Sequence, residues 1–376
     1  MLEHLKVAII HEWLVDYSGS ERVLEQILNL FPHADLYAVV DFLPSGSRGF
    51  IQNKSVQTSF IQQLPFAKSN FRSYLPFMAI AIEQFDLSEY DLVISSSHAV
   101  AKGVITSPDQ LHIAYVHSPI RYAWDLQHQY LREAGLEQGI RSWLTRWILH
   151  QIRLWDIRTA NGVDYFIANS QFIARRVQKI YRRSSRVIYP PVDVENFELN
   201  PEIAREDFYL TAARFVPYKK IDLIVEAFSQ MSDRRLIVIG EGKGAAKLKQ
   251  MATPNITFLP YQPPAKLKEY MQRSRAFVFA AIEDFGITLV EAQACGTPII
   301  ALGKGGAKET VNVETGVLFP EQTVASLITA IQKFEQSSFQ AQIIRSHALD
   351  FAPQRFRQEL GAFITQTWQA FSQSNK

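Results

Sequence analysis

One cysteine, Cys295, stands alone in 376 residues, which excludes an internal disulfide and a cysteine-built metal cluster. It follows Glu291 on an apolar stretch and reads as a small core residue rather than a nucleophile. No apolar run approaches the roughly 20 residues that a bilayer span requires. The opening MLEHLKVAII enters a strand at once and lacks signal-peptide architecture. The expected location is therefore the cytoplasm, with contact to the cytoplasmic face of a membrane left open. Net charge is close to balanced at +2, so no nucleic-acid partner is expected. No Gly-x-Gly-x-x-Gly follows the first strand, which disfavours an NAD-dependent enzyme. No Asp-x-Asp pair is present to hold a metal against phosphate. Neither a metal nor a cofactor is expected.

What is present reads as α/β. The length favours two domains, each able to bury its own core, and 47% hydrophobic with 20% charged residues suits a globular chain. Lys6–Ile10, Ala34–Val40, Asp91–Ser97 and His112–Ser118 are apolar runs without alternation, the pattern of a parallel sheet covered on both faces. Ser20 is a candidate cap for a helix with Val23, Leu24, Ile27 and Leu28 on one side. Residues 42–90 read as helices and loops flanking that sheet. Val163–Ala168 is another strand, and Asn169-Ser170 caps the helix after it. Pro190-Pro191 forms a stiff connector. Strand and helix then alternate again from Asp207, with Gly305-Gly306 and Gly316 marking turns. Domains are expected at 1–190 and 191–350, followed by an amphipathic last helix, 351–376, that returns to the first.

The stretch EDFGITLVEAQACGTP, from Glu283 to Pro298, carries two glutamates, Glu283 and Glu291, with seven residues between them. A helix is expected from Ile287, stopped by Gly296 and Pro298, with a buried strand at Ile299–Leu302. Its N-terminus would present free N–H groups and a positive dipole end to phosphate. Gly286 would let the backbone come close to a ligand. A carboxylate accepts two hydrogen bonds from a vicinal diol, so the pattern describes a sugar nucleotide. An ordinary αβ unit with solvated glutamates is the plainer alternative.

This stretch resembles the E-x7-E motif of the retaining glycosyltransferases of family 4, and the likeness runs along nearly the whole chain. Ser18, Gly19, Ser20, Glu21 and Arg22 match the family's glycine-rich turn, with Ser18 in place of its first glycine. His11, Glu12 and Trp13 match its first strand end. YVHSPIRYAWD, around His117, resembles a subgroup associated with mannose transfer in surface polysaccharide assembly. The resemblance implies the GT-B fold, two Rossmann-like parallel-sheet domains facing a central cleft. It implies a metal-independent, retaining hexosyltransferase acting on a nucleoside-diphosphate sugar, with GDP-mannose favoured and a UDP-sugar allowed. The implied catalytic set is His117, Glu283, Arg214 and Lys219. Gly19, Arg214, Lys219, Phe285, Gly286, Ile287, Thr288 and Glu291 would bind the donor. Glu12, Trp13, Arg121, Tyr122 and Trp124 would face the acceptor, a glycan or a lipid-linked one. No nucleophile is expected at the anomeric carbon.

Two other classes stay open: a GT-B-fold nucleotide-sugar epimerase, and a non-catalytic subunit that only binds a sugar nucleotide. From Arg121 to Arg186 basic residues outnumber acidic ones. Within it, Trp143, Trp147 and Leu154 share helical spacing. Burial of that face is the expectation, and a peripheral membrane contact is the alternative.

Overall fold

The computed structural model describes residues 4–374 and divides into two compact units, Met1–Pro191 with Phe356–Lys376, and Val192–Arg355. The first unit is built on seven strands: β1 (Val7–Leu14), β2 (Asp35–Asp41), β3 (Val56–Thr58), β4 (Leu92–Ser97), β5 (Leu111–Val116), β6 (Tyr165–Ala168) and β7 (Ser185–Val187). Their order is β3-β2-β1-β4-β5-β6-β7, and every pairing is parallel. The second unit holds β8 (Tyr209–Ala212), β9 (Leu236–Ile239), β10 (Ile256–Leu259), β11 (Ala276–Phe279), β12 (Ile299–Leu302) and β13 (Gly316–Phe319). Their order is β10-β9-β8-β11-β12-β13, again all parallel. Both sheets are Rossmann-like. Each winds outward from its first strand in one direction, then reverses, so β1 lies beside β4 and β8 beside β11.

Central strands are buried on both faces, which is why their sequences run apolar without alternation. Helices cover them with apolar stripes. Val23, Leu24, Ile27 and Leu28 of the Gly19–Leu30 helix sit at 0% exposure in the first core. The closing Pro353–Ser374 helix sets Phe356, Leu360 and Ile364 into that same core.

Several local readings change. β1 continues through Leu14, so His11, Glu12 and Trp13 lie within the strand rather than after it. The first helix begins at Gly19 with Ser18 as its cap. Glu21 is the third residue from that cap, and its side chain closes the capping box on Ser18. β3 and β7 are three residues each with no buried apolar run, and β13 begins at Gly316, expected only as a turn.

The largest difference is the Gly139–Thr159 helix. The expected buried stripe is exposed: Trp143 at 67%, Trp147 at 51% and Leu154 at 53%. The helix buries Ser142, Leu149, Ile152 and Asp156 instead. Asp156 decides this orientation. Its carboxylate, at 0% exposure, takes the Lys102 ammonium at 2.8 Å, the Tyr181 hydroxyl at 3.0 Å and the Trp124 indole N–H at 2.7 Å. Lys102 also donates to the Asp156 carbonyl and the Thr159 hydroxyl. Other basic residues of this region are likewise engaged. Arg176 pairs with Asp125, and Arg183 donates to the carbonyls of Ala160, Val163 and Asp164. No helix among the described residues is long and apolar enough to cross a membrane.

Removing one partner of a buried ion pair leaves the other charge uncompensated. Lys102→Ala is therefore expected to lower the stability of the first unit by about 3–5 kcal/mol in chemical denaturation. The double variant Lys102→Met with Asp156→Leu should lose much less.

Candidate active site

In the second unit the candidate donor residues gather where the winding reverses. Arg214 and Lys219 lie in the loop after β8, and Glu283 lies in the loop after β11, the neighbouring strand. Lys219 Nζ donates to Glu283 Oε1 at 2.5 Å, and both side chains are mostly buried, at 18% and 17%. Arg214 is exposed, and its guanidinium makes no hydrogen bond or ion pair with a described residue. Gaps at the carboxyl ends of two strands that diverge in this way are where open α/β sheets receive ligands.

The helix after Glu283 runs Ile287–Ala294, capped by Gly286 at φ 93°, a left-handed conformation that suits glycine. Ile287 and Thr288, half-buried, begin it. Glu291 is at 5% exposure within the helix. Phe285, expected at the donor, has its ring in the core against Phe351, with centroids 5.5 Å apart. Only its backbone is left to meet a ligand. The Glu283 loop rests on Gly305-Gly306: Glu283 forms a parallel bridge with Gly305, and its carbonyl accepts the Gly306 N–H at 2.8 Å. A Cβ on Gly306 would stand 2.3 Å from the Phe285 Cα, so only glycine allows this approach. Cys295 is buried, its thiol pushed up to about 12 by burial, with Glu291 adding to the shift. It is a core residue.

In the first unit the reversal between β1 and β4 is filled by the protein itself. Glu12, at 0% exposure, accepts the backbone N–H groups of His98, Ala99, Val100 and Ala101 and the Ser97 hydroxyl. Burial opposes its ionisation. The adjacent His98 and the N–H groups of Val100, Ala101 and Ala99 outweigh that, and its pKa is lowered. A carboxylate holding a loop by this many bonds is not an acceptor contact, which corrects the expectation for Glu12.

Trp124 changes for a similar reason, since its single polar atom binds Asp156 inside the unit. Trp13 packs edge-on against His98 with centroids 4.7 Å apart, under the Arg72 guanidinium. Tyr122 packs against Tyr130, and Arg121 donates to the Ser118 hydroxyl at 3.3 Å. Gly19 is the first residue of its helix, directly after the Ser18 cap.

His117, half-buried after β5, is fixed by its backbone. Its N–H donates to the Ser97 carbonyl, and its carbonyl accepts the Asn169 amide. Burial, with His98 and His11 nearby, drives its pKa well below the usual value, so the ring is neutral. Its Nε2 lies 2.9 Å from Ser96 Oγ. Ser96 Oγ is also 3.1 Å from His11 Nδ1, and His11 Nε2 is 3.1 Å from Glu21 Oε1. Ser96, His98 and the role of Glu21 were not singled out by the sequence. The lone serine run ISSS at the end of β4 was the available signal.

Comparison with known proteins follows the same two-part division. Residues 17–196 match the model described as Glycosyltransferase Family 4, and residues 194–349 match Glycosyl transferases group 1. A D-inositol 3-phosphate glycosyltransferase of Segniliparus rotundus is 30% identical over 204 residues, 45% of each chain. One from Rhodococcus erythropolis is 29% identical over 215 residues, 47% of this chain and 49% of its own. The chain thus spans about half the length of these curated relatives. Among solved structures, sucrose-phosphate synthase of Thermosynechococcus elongatus superposes with a TM-score of 0.74 at 16% identity, covering 98% of this chain and 100% of that one. An Anabaena protein in complex with UDP gives 0.69 at 17%, covering 96% and 100%. These likenesses establish the fold, the GT-B type with a Rossmann-like unit in each half. With a family 4 match on its first half and a group 1 match on its second, the chain belongs to the family 4, group 1 glycosyltransferases.

Proposed function

We propose that the chain is a retaining glycosyltransferase that moves a hexose from a nucleoside-diphosphate sugar to a glycan or lipid-linked acceptor. The observation that carries this reading is the contact of Lys219 with Glu283 across the β8/β11 reversal, in a unit that also presents the unpaired Arg214. Leaving of the diphosphate from the anomeric carbon builds negative charge. Arg214, Lys219 and the helix N-terminus at Ile287 would stabilise it. In the ligand-free chain Lys219 and Glu283 neutralise each other. A bound donor would replace this pair with phosphate on Lys219 and sugar hydroxyls on Glu283. Glu291 would take the ribose hydroxyls, and His117 is assigned to the donor sugar by the family resemblance. With no nucleophile assigned at the anomeric carbon, the acceptor would attack on the face the diphosphate leaves, which retains configuration.

For the donor, the resemblance to the surface-polysaccharide subgroup favours GDP-mannose. The Anabaena protein crystallised with UDP supports including UDP-sugars, and the inositol-phosphate relatives support including that acceptor. A thermal-shift screen with GDP, UDP and ADP sugars identifies the donor, because a tight ligand raises the melting temperature by mass action. The exposed Trp143, Trp147 and Leu154 face, with Arg141 and Arg146 on the same helix, supports a peripheral contact with an acidic membrane surface and hence a lipid-linked acceptor. An epimerase would instead yield a new nucleotide sugar, and a non-catalytic subunit would bind one without turnover.

Glu283→Ala should fold normally and lose about 100-fold or more in kcat, since it removes a group acting on the transition state. Wild-type kcat in that variant would remove Glu283 from the mechanism. Calorimetry with the free nucleoside diphosphate separates the two units. Arg214→Ala should bind it far more weakly, whereas His117→Ala should bind within a few-fold of wild type and still transfer poorly. The reverse pattern would show the assignments to be exchanged. EDTA should leave turnover largely intact, because Arg214 and Lys219 carry the charge. Loss of activity restored by Mg²⁺ would contradict that.

A further inference from the structure

The contacts Glu21–His11–Ser96–His117 form one continuous line of hydrogen bonds from the first helix, through β1 and β4, to the end of β5. Their chemistry gives the line a direction. Glu21 Oε2 already accepts the Ser18 N–H at 3.1 Å and the hydroxyls of Ser18 and Ser20. Its other oxygen, Oε1, faces His11 Nε2. An ionised carboxylate only accepts, so His11 must carry its proton on Nε2. Burial raises the Glu21 pKa, but the hydrogen bonds from His11 and Ser18 hold it below the usual carboxylate range, so it is ionised at neutral pH. We take this fully buried ring as uncharged, which leaves Nδ1 bare to accept the Ser96 hydroxyl proton. Ser96 has one proton, and with it directed to His11 its oxygen can only accept from His117 Nε2.

We infer that Glu21, His11 and Ser96 are positioning residues that hold His117 as the Nε2–H tautomer, presenting Nδ1 as a hydrogen-bond acceptor. Nδ1 has no hydrogen-bond partner among the described residues. The ligand chemistry this selects is a hydroxyl donor, such as a sugar hydroxyl, and not an anionic oxygen. The inference rests on the assignment of His117 to the donor sugar for its functional consequence. The tautomer itself stands on the hydrogen-bond geometry with Glu21 ionised and His11 uncharged, and not on that assignment.

Glu21→Gln tests the direction with almost no change of shape. The Ser18 N–H requires an acceptor, so the new amide must place its oxygen there and its NH2 toward His11. The amide then donates to His11 Nε2, His11 donates from Nδ1 to Ser96, and Ser96 donates to His117 Nε2. Every proton in the line moves, and His117 becomes the Nδ1–H tautomer, with no acceptor to offer.

The measurement is imidazole ¹⁵N NMR on the full chain labelled at histidine, with His11 and His117 assigned by single His→Gln variants. Wild type should show both rings as Nε2–H, and Glu21→Gln should show both as Nδ1–H. Transfer by Glu21→Gln should fall about tenfold in kcat, the worth of one hydrogen bond, with nucleoside diphosphate affinity unchanged. A wild-type His117 that is cationic or carries its proton on Nδ1 would overturn the inference, even if the variant failed to fold. So would a folded Glu21→Gln with unchanged tautomers. If the tautomers reverse as expected but His117→Ala transfers at the wild-type rate, the relay stands and the assignment of His117 to the sugar fails.

Discussion

The reversal of winding in each sheet is the constraint on which the rest depends. Where two neighbouring parallel strands send their connections in opposite directions, their carboxyl ends are left uncovered. In the second unit that gap is bordered by the loops after β8 and β11, and the polar groups that meet across it are Lys219 and Glu283. A wall of strands buried on both faces fixes the loop bases, while glycines at 286, 305 and 306 let the loops bend and pack at backbone distance. In the first unit the equivalent gap is closed from within. Glu12 supplies the negative charge that satisfies the buried N–H groups of residues 98–101. The two sheets share a topology, but a buried carboxylate occupies the gap in the first, whereas in the second the gap is bordered by Lys219 and Glu283.

That carboxylate sits in an unusual cluster for a protein interior. Glu12 and Glu21 are held ionised, while His98 and His117 are held neutral, because burial outweighs the attraction of the nearby carboxylates on each ring. Ionised groups here are those with several donors, and neutral ones are those with few. The distribution follows the cost of burying charge without hydrogen bonds. It leaves the His98 and His117 imidazoles half-buried at the edge of the cluster, with His117 fixed at its backbone.

Much of the fold was legible in the sequence, for physical reasons. Fully buried parallel strands must be apolar along their whole length, so β4, β5, β9, β11 and β12 announced themselves. The Ile287 helix was marked by Gly286 before it and Gly296 after it. The edge strands β3, β7 and β13 were not, since β3 and β7 are three residues with no buried apolar run and β13 opens on Gly316, which reads as a turn. The Trp143–Leu154 stripe misled because spacing reports a helix but not which side is buried. That was decided by Asp156 and Lys102, forty-odd residues outside the stripe's own pattern in the case of Lys102. The candidate donor residues were named from motif spacing, and the structure brings Lys219 and Glu283 into contact. Glu12, Trp124 and Phe285 were also named, but a motif cannot tell a side chain that meets a ligand from one that holds the loop beside it. The line from Glu21 to His117 joins four elements, and its one local mark is the serine run at the end of β4.

The most direct test of the account is product analysis after incubation with the donor that stabilises the chain best and a lipid-linked or glycan acceptor. The account predicts release of the nucleoside diphosphate and a new glycosidic bond whose anomeric configuration, read by NMR, equals that of the donor. An inverted linkage would contradict the retaining mechanism. A new nucleotide sugar, or tight binding with no transfer to any acceptor, would contradict the assignment as a transferase.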